Sequence, residues 1–226
     1  MFTVNVDLLT QAKNVLSLHR RLFWIVGGAG SGKSTICQAL AEAYGLPVYD
    51  MDAHIYGAYH GRFTPERHPV NSQWAAAPNG LAWLLAMSWQ QFDAFNQAAV
   101  PEYLDLLAED LANMELDTGI LIDGGIANPG LIAQVLPANQ IVCLARPGRS
   151  SAEIWSENEE RLGMKEFVYQ LANPEQAWQK FLEFDAQISQ TIIQECLANN
   201  IPICTRTEAE TVAELTERVA CTLGIA

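Results

Sequence analysis

The sequence predicts an α/β fold with a central parallel sheet. Three observations predict it: short apolar runs of strand length, stretches with helical spacing between them, and a glycine-rich loop that joins the first run to a helix. Strands that are buried on both faces of a parallel sheet appear as continuous apolar runs, and each needs a crossover, usually a helix, before the next strand. The alternation of the two patterns therefore indicates a layered α/β domain.

The predicted elements follow one another regularly along a single domain that spans residues 1–226. Apolar positions recur with helical spacing in the predicted helices and run continuously in the predicted strands. The predicted strands are 22–26, 46–50, 119–123, 140–145 and 201–204, and the predicted helices are 7–20, 35–44, 128–136, 151–162, 174–199 and 208–223.

One connection is much longer than the others. It joins the second strand to the third and covers about 68 residues, 51–118, whereas most crossovers in compact domains need far fewer. Two helical runs are predicted within it, at 79–99 and 101–116, with Pro101 at the start of the second run. No flexible linker bounds this segment, so we interpret 53–118 as a helical insert within the domain.

The aromatic side chains of the insert are open to two interpretations. They form the core of a helical subdomain, or some of them line a pocket for a small molecule. The residues concerned are Trp74, Trp83, Trp89, Phe92 and Phe95, of which Trp83, Trp89 and Phe92 are the pocket candidates. Three histidines of the same segment lack the spacing of a metal site, and we interpret them as ordinary histidines: His54, His60 and His68.

The charge balance disfavours two classes of partner. Thirteen Lys and Arg stand against 26 Asp and Glu, which gives a net charge of −13. A chain of this charge repels a nucleic-acid backbone and an anionic membrane surface. We therefore expect neither nucleic acid nor membrane as a partner, and the sequence leaves the oligomeric state open.

The cysteines and the chain start predict a cytoplasmic protein. The five cysteines are odd in number, are widely spaced and include no C-x-x-C, so we expect reduced thiols: Cys37, Cys143, Cys196, Cys204 and Cys221. No apolar run reaches the 18 residues of a transmembrane helix. Residues 1–7 lack the positive region of a signal peptide.

The strongest motif is the loop after the first strand, which fits G-x-x-x-x-G-K-[ST]. Its glycines let successive backbone N–H groups point at phosphates, and the following helix adds the positive end of its dipole. Lys33 is expected to reach the β- and γ-phosphates, and Ser34 to ligate Mg²⁺. The nucleotide-binding candidates are Gly28, Ala29, Gly30, Ser31, Gly32, Lys33, Ser34 and Thr35. The alternative is a glycine-rich turn without a ligand.

Two carboxylates follow the second strand, Asp50 and Asp52. Ligands of open α/β sheets bind at the carboxyl ends of the strands, so both side chains are placed to face the γ-phosphate. One would hold a Mg²⁺-bound water, and the other would orient or deprotonate the attacking hydroxyl. The alternative is a structural turn in which Asp52 caps the helix that begins near Ala53.

The third strand ends in Asp123-Gly124-Gly125. The carboxylate of Asp123 would approach Mg²⁺ through water, and the glycines would let a substrate lie close to the backbone. The alternative is a simple turn before Pro129.

Positive charge is scarce around the predicted site, because residues 69–145 contain no Lys, Arg or His. If the acceptor carries a carboxylate or a phosphate, Arg62 and Arg67 are the local candidates to bind it. The alternative is a solvated loop whose arginines offset nearby acids.

Three arginines follow the fourth strand: Arg146, Arg149 and Arg161. Phosphoryl transfer needs positive charge over the transferred group, and a mobile helical lid could deliver Arg161 there. The alternative for Arg161 is an ion pair with Glu157, four residues before it on the same helix.

The layout resembles the nucleoside-monophosphate-kinase-like branch of the P-loop kinases, which includes adenylate, shikimate and gluconate kinases. The matching features are GGAGSGKST at 27–35, DMD at 50–52, ILIDGG at 120–125 and the arginine-bearing segment after the fourth strand. This resemblance implies a three-layer P-loop NTPase fold with a five-stranded sheet in the order 2-3-1-4-5. It also implies an acceptor-binding insert and a lid-like segment at about 146–170.

The resemblance assigns further roles. Shikimate-kinase-like enzymes carry an acidic pair similar to Asp50 and Asp52, with the second carboxylate close to the attacking hydroxyl. They also have a glycine turn similar to Gly124-Gly125. The loop after the last strand usually packs on adenine in the family, which implies Arg206 near the base, with Thr207 beside it. Adenylate kinases continue Asp-Gly with Phe-Pro-Arg, and this chain has no arginine there.

Three functions fit the sequence. The first is an ATP-dependent phosphotransferase that moves the γ-phosphate of MgATP to a hydroxyl or other oxygen of a small acceptor, with Lys33, Asp52 and Arg161 as catalytic residues. The second is a nucleotide-dependent ATPase or switch that binds a protein partner. The third is a degenerate kinase fold kept for binding, which the intact Gly32-Lys33-Ser34 disfavours. No Asn-Lys pair occurs for guanine recognition, which favours ATP.

Overall fold

The computed structural model describes residues 2–114, 118–157, 159–207 and 209–225. Its centre is a five-stranded sheet in the order β2-β3-β1-β4-β5, and every neighbouring pair of strands is parallel. The predicted sheet and its order are confirmed. The strands are β1 (Leu22–Val26), β2 (Val48–Asp50), β3 (Ile120–Asp123), β4 (Ile141–Ala145) and β5 (Ile203–Thr205).

Helices cover both faces of the sheet and fill the connection between β2 and β3. They are α1 (Val6–Leu16), α2 (Lys33–Tyr44), α3 (Met51–Ala53), α4 (Pro69–Ala75), α5 (Gly80–Leu85), α6 (Trp89–Ala112), α7 (Pro129–Val135), α8 (Ser151–Ile154), α9 (Glu159–Val168), α10 (Pro174–Ala198) and α11 (Val212–Leu223). A π-helical turn at His54–Ala58 continues α3, and a 3₁₀ turn at Ala138–Gln140 precedes β4.

The predicted boundary at Pro101 is wrong. Pro101 is buried inside one continuous helix, α6, and the break comes earlier, where Ser88 and Gln91 form a capping box. A proline inside a helix removes one backbone hydrogen bond. Packing of α6 on α1 and the burial of residues 98–108 around the proline offset that loss. The predicted helix 151–162 is likewise two helices, because α8 ends at Ile154.

Alternate residues of β1 point into two separate cores. Leu22, Trp24 and Val26 join the larger core, which is covered by α1, α6, α7 and α10, whereas Phe23 and Ile25 join the smaller core under α2 and α11. All five β1 side chains are buried. Burial on both faces of the sheet explains why β1 appears in the sequence as a continuous apolar run. The sheet and the helices on its two faces form three layers.

Within the described part of the chain, no helix is both long enough and apolar enough to cross a membrane. Four of the cysteines lie inside the protein, and Cys221 is exposed.

The first helix is an integral part of the larger core. Leu16 is fully buried, whereas Leu18, just past the end of the helix, is 76% exposed. We expect Leu16→Ala to lower the free energy of unfolding by about 2–5 kcal/mol, because it leaves a cavity between packed layers. Urea denaturation measures this loss. Leu18→Ala is the matched control, with an expected change within about 0.5 kcal/mol. Equal, small losses in both variants would contradict the packing of α1 on the core.

Candidate active site

The loop between β1 and α2 presents an open helix N-terminus. Gly32 takes the left-handed conformation (φ = 94°) and occupies the N-cap position of α2 without a side-chain cap. Ser34 and Thr35 in the first turn are exposed, and within the described part of the chain the buried Ser31 hydroxyl has no hydrogen-bond partner. Unpaired N–H groups at a helix N-terminus form a ready site for an anion. The loop therefore has the geometry that phosphate binding requires.

Lys33, Asp52 and Gly124 meet at one point in front of this loop. A Cβ atom placed on Gly124 would lie 2.7 Å from Asp52 Oδ2 and 3.0 Å from Lys33 Cε, and Gly124 is left-handed (φ = 65°). Any side chain at this position would displace both charged groups. The Lys33 ammonium also lies 3.5 Å from the Gly28 carbonyl oxygen, so it extends back over the loop. The structure thus brings together residues that the sequence places 91 positions apart.

The strand register places the other two carboxylates side by side. Asp50 of β2 pairs with Asp123 of β3. One oxygen of Asp50 accepts a hydrogen bond from the Ala53 N–H at 2.9 Å, so Asp50, and not Asp52, caps the short helix. Asp123 is buried, and its Oδ1 atom has no hydrogen-bond partner among the residues that the structure describes. A buried carboxylate oxygen without a partner is a suitable position for a metal-bound water.

The environment of Asp52 favours its protonated form. Loss of hydration in the cleft raises the pKa of this carboxyl above the ordinary value of 3.8. The Lys33 ammonium and the Gly125 N–H oppose this shift, while the carboxylates of Asp123 and Asp50 add to it. A carboxylate with a raised pKa is a better proton acceptor, which suits a general base.

A cavity of about 160 Å³ opens beside these groups. The phosphate loop and Asp52 form one wall, and the insert, the turn after β3 and α10 form the others. Its lining consists of Gly27, Gly28, Ala29, Lys33, Asp52, Ile55, Tyr56, Phe92, Asn96, Val100, Tyr103, Gly124, Gly125, Ile126, Ala127, Ile188 and Ile192.

The structure places Arg62 and Arg67 outside this lining. Arg67 makes a bidentate pair with Asp105 at 2.6 and 2.7 Å. Arg62 pairs with Asp110 at 2.7 Å and with Glu109 at 3.1 Å. Both arginines therefore fasten the loop before α4 to helix α6, and the geometry favours the structural alternative to their proposed role in acceptor binding.

Two of the other predicted arginines lie against the phosphate loop. Arg161 Nη1 is 3.3 Å from the Cβ position of Gly30, and Arg206 Nη1 is 3.8 Å from that of Gly32. Arg161 also donates to the Ile154 carbonyl at 3.0 Å and pairs with Glu157 at 2.9 Å. The ion pair of Arg161 with Glu157 is thus present beside the loop, and the catalytic role of Arg161 on a mobile lid stays a prediction.

Glu157 forms ion pairs with several arginines. Arg149 pairs with it at 2.6 Å and Arg146 at 3.3 Å, in addition to Arg161. This cluster connects the end of β4 to α8 and α9, close to the loop. Thr207, which the resemblance places near a base, accepts a hydrogen bond from the Glu210 N–H at 3.3 Å.

Most of the rings predicted either to pack or to line a pocket belong to the core. Trp83 and Trp74 make edge contacts with Phe95, and Trp89 packs on Phe184. Of the three pocket candidates, Phe92 is among the described lining residues of the cavity, and Trp83 and Trp89 are not. The histidines also have local partners: His54 stacks on Tyr49, His60 packs on Trp74, and the buried His68 contacts Asp105.

Helix α10 contributes residues that the sequence analysis did not single out. Ile188 and Ile192 line the cavity, and Ser189 lies so close to the loop that a Cβ on Gly28 would be 2.2 Å from its hydroxyl. Asp185, one turn earlier, accepts a hydrogen bond from Ser151 of α8 at 2.5 Å. The spacing of these residues indicates one face of a helix. No local signal indicates that this face lies on the phosphate loop.

Comparison with known proteins gives structural matches alone. No family model and no curated protein matches the sequence. The structure is similar to that of TT1252 from Thermus thermophilus, with a TM-score of 0.49 and 20% identity over 91% of this chain and 96% of that chain. It is also similar to shikimate kinase from Acinetobacter baumannii in complex with shikimate, with a TM-score of 0.41 and 16% identity over 90% of this chain and 93% of that chain.

Neither TM-score reaches 0.5, so the fold assignment rests on features of this chain. The strand order β2-β3-β1-β4-β5 and the glycine-rich loop between β1 and α2 are both present. The loop sequence ends in Gly32-Lys33-Ser34, and it leads directly from a buried strand into a helix, which is the context that the motif requires. The chain therefore has the P-loop NTPase fold, in the five-stranded form that the resemblance predicted.

Proposed function

We propose that the chain is a small-molecule kinase that transfers the γ-phosphate of MgATP to a hydroxyl of an acceptor bound in the cavity. The observation that carries this proposal is the meeting of Lys33 and Asp52 at Gly124. One wall of the same cavity is the phosphate loop, and the opposite walls belong to the insert and α10. The cavity thus extends from the phosphate loop to the insert, which supports an acceptor site beside the phosphates.

In the proposed reaction, Lys33 and the loop N–H groups hold the phosphates while Asp52 faces the acceptor. The hydroxyl oxygen attacks the γ-phosphorus, the bond to the β–γ bridging oxygen breaks, and its electron pair leaves with ADP. Asp52 accepts the hydroxyl proton. Arg161, beside Gly30, stabilises the charge on the transferred group. Arg206, beside Gly32, lies along the nucleotide.

The residues present also fit a magnesium ion. Asp123 supplies the unpartnered buried oxygen, Asp50 lies beside it, and the exposed Ser34 hydroxyl is at the start of α2. Oxygen donors of this kind suit Mg²⁺, which is usually bound through one or two carboxylates and the substrate phosphates. When bound, the ion would neutralise charge on the β- and γ-phosphates.

We expect Lys33→Ala to weaken Mg·ADP binding by about tenfold or more, because it removes the cation that extends over the loop. Isothermal titration calorimetry measures the affinity. Lys13→Ala is the matched control, since Lys13 is an exposed lysine on α1. Unchanged affinity in Lys33→Ala would argue against nucleotide binding at this loop.

Replacing Asp52 separates catalysis from nucleotide binding. We expect Asp52→Asn to lower kcat of acceptor-dependent ADP release by about 10²-fold or more, since general base catalysis contributes roughly 10²–10⁴-fold. Mg·ADP affinity should change by less than about threefold, because the phosphate loop is intact. Asp7→Asn, in the first turn of α1, is the matched control for the charge change. Wild-type turnover in Asp52→Asn would remove Asp52 from the mechanism.

The raised pKa of Asp52 predicts the pH dependence. The ionised carboxylate is the active form, so kcat should fall on acidification through an apparent pKa above 3.8. A pH–rate profile of acceptor-dependent phosphorylation measures this limb. The residual rate of Asp52→Asn should lack the limb. A limb that persists unchanged in Asp52→Asn would assign it to another group.

A further inference from the structure

We propose that the acceptor is an uncharged alcohol with a largely apolar body and one further neutral polar group. This inference rests on the proposed function and names the substrate class of the same cavity. This acceptor differs from an anionic acceptor bound by Arg62 and Arg67, because neither arginine lines the cavity.

The body of the acceptor would lie between two helix faces. Phe92, Asn96, Val100 and Tyr103 follow one another at spacings of three or four residues along α6, so they share one face. Ile188 and Ile192 of α10, with Ile55 and Ile126, add apolar side chains to the lining. Such walls favour an apolar ligand surface because water leaves both sides when it binds.

The charges of the lining disfavour an anionic acceptor. Among the described lining residues, Lys33 is the only cation, and the proposed mechanism uses it for the phosphates. Asp52 contributes a carboxylate on the acceptor side. The arginines of the insert, Arg62 and Arg67, are paired with carboxylates of α6 outside the lining. An acceptor carboxylate or phosphate would lose hydration without gaining a cation, which is strongly unfavourable.

Three neutral side chains in the lining are able to hydrogen-bond to a ligand, those of Tyr56, Asn96 and Tyr103. In the part of the chain that the structure describes, the Asn96 amide and the Tyr103 hydroxyl make no hydrogen bond to protein. Burial raises the pKa of Tyr103 well above its ordinary value of 10, so the phenol is neutral and able to donate. A carbonyl, amide or second hydroxyl on the acceptor would pair with these groups, whereas a purely hydrocarbon body would leave them unsatisfied.

Matched pairs of alcohols test the charge preference directly. Each pair shares one scaffold and one hydroxymethyl group and differs in a neutral amide or an anionic carboxylate, as in 4-(hydroxymethyl)benzamide and 4-(hydroxymethyl)benzoate. Aromatic, alicyclic and linear scaffolds are included, and ADP release and phosphomonoester formation are both measured. We expect the productive acceptors to be amides, with kcat/KM at least about tenfold above their carboxylate partners.

The outcomes separate the two proposals. Carboxylate members that react as well as or better than the amides would overturn the neutral-acceptor inference and leave the kinase function standing. No stimulated ADP release and no phosphomonoester from any member would overturn the inference, and it would also remove support from the kinase function.

A charge placed in the cavity gives an independent test. We expect Asn96→Arg to shift the ratio of carboxylate to amide kcat/KM by about tenfold or more towards the carboxylate, because it supplies the missing cation. Gln90→Arg, at an exposed position of the same helix, is the matched control and should leave the ratio unchanged. Retained Mg·ADP affinity shows that both variants are folded. An unchanged ratio in folded Asn96→Arg would contradict the assignment of this cavity to the acceptor.

Discussion

The site depends on the pairing of β3 between β1 and β2. That pairing brings Asp123 beside both Ile25, just before the phosphate loop, and Asp50, just before Asp52. The turn that follows is fixed by the core, since the buried Trp24 indole donates a hydrogen bond to the Gly124 carbonyl at 2.9 Å. Because Gly124 has no side chain, Lys33 and Asp52 can meet across it. The register of the sheet and the packing of Trp24 in the core therefore together determine where Lys33 and Asp52 lie.

Ion pairs in the insert serve the cavity indirectly. They attach the loop before α4 to Asp105 and Asp110 in the second half of α6, a helix that also carries cavity-lining residues. His68 and Arg67 lower the pKa of Asp105, although burial opposes them, so this carboxylate stays ionised inside the protein. Both arginines of the insert are thus held in ion pairs and do not line the cavity.

Local patterns made the sheet and the phosphate loop predictable. The run Leu22–Val26 and the loop ending in Lys33-Ser34 are each continuous in sequence. Their structures can therefore be predicted without knowing which distant residues they contact. The carboxylate partners of Arg62 and Arg67 lie 38 to 48 residues away on α6, so the sequence alone left the role of these arginines open. The helix boundary predicted at Pro101 is wrong for a related reason. Tertiary packing of α6 outweighs the single backbone hydrogen bond that the proline removes. The position of α10 over Gly28 is also set by tertiary packing and has no local signal.

The destination of the γ-phosphate tests the central claim most directly. With [γ-³²P]ATP, Mg²⁺ and a productive acceptor, the label can be partitioned between a phosphomonoester and inorganic phosphate, with Lys33→Ala as the blank. A site that holds an acceptor hydroxyl between Asp52 and the phosphate loop predicts acceptor-dependent label in the phosphomonoester. Label that appears in inorganic phosphate alone, at a rate indifferent to every acceptor and abolished in the blank, would contradict the account and indicate a nucleotide-dependent ATPase.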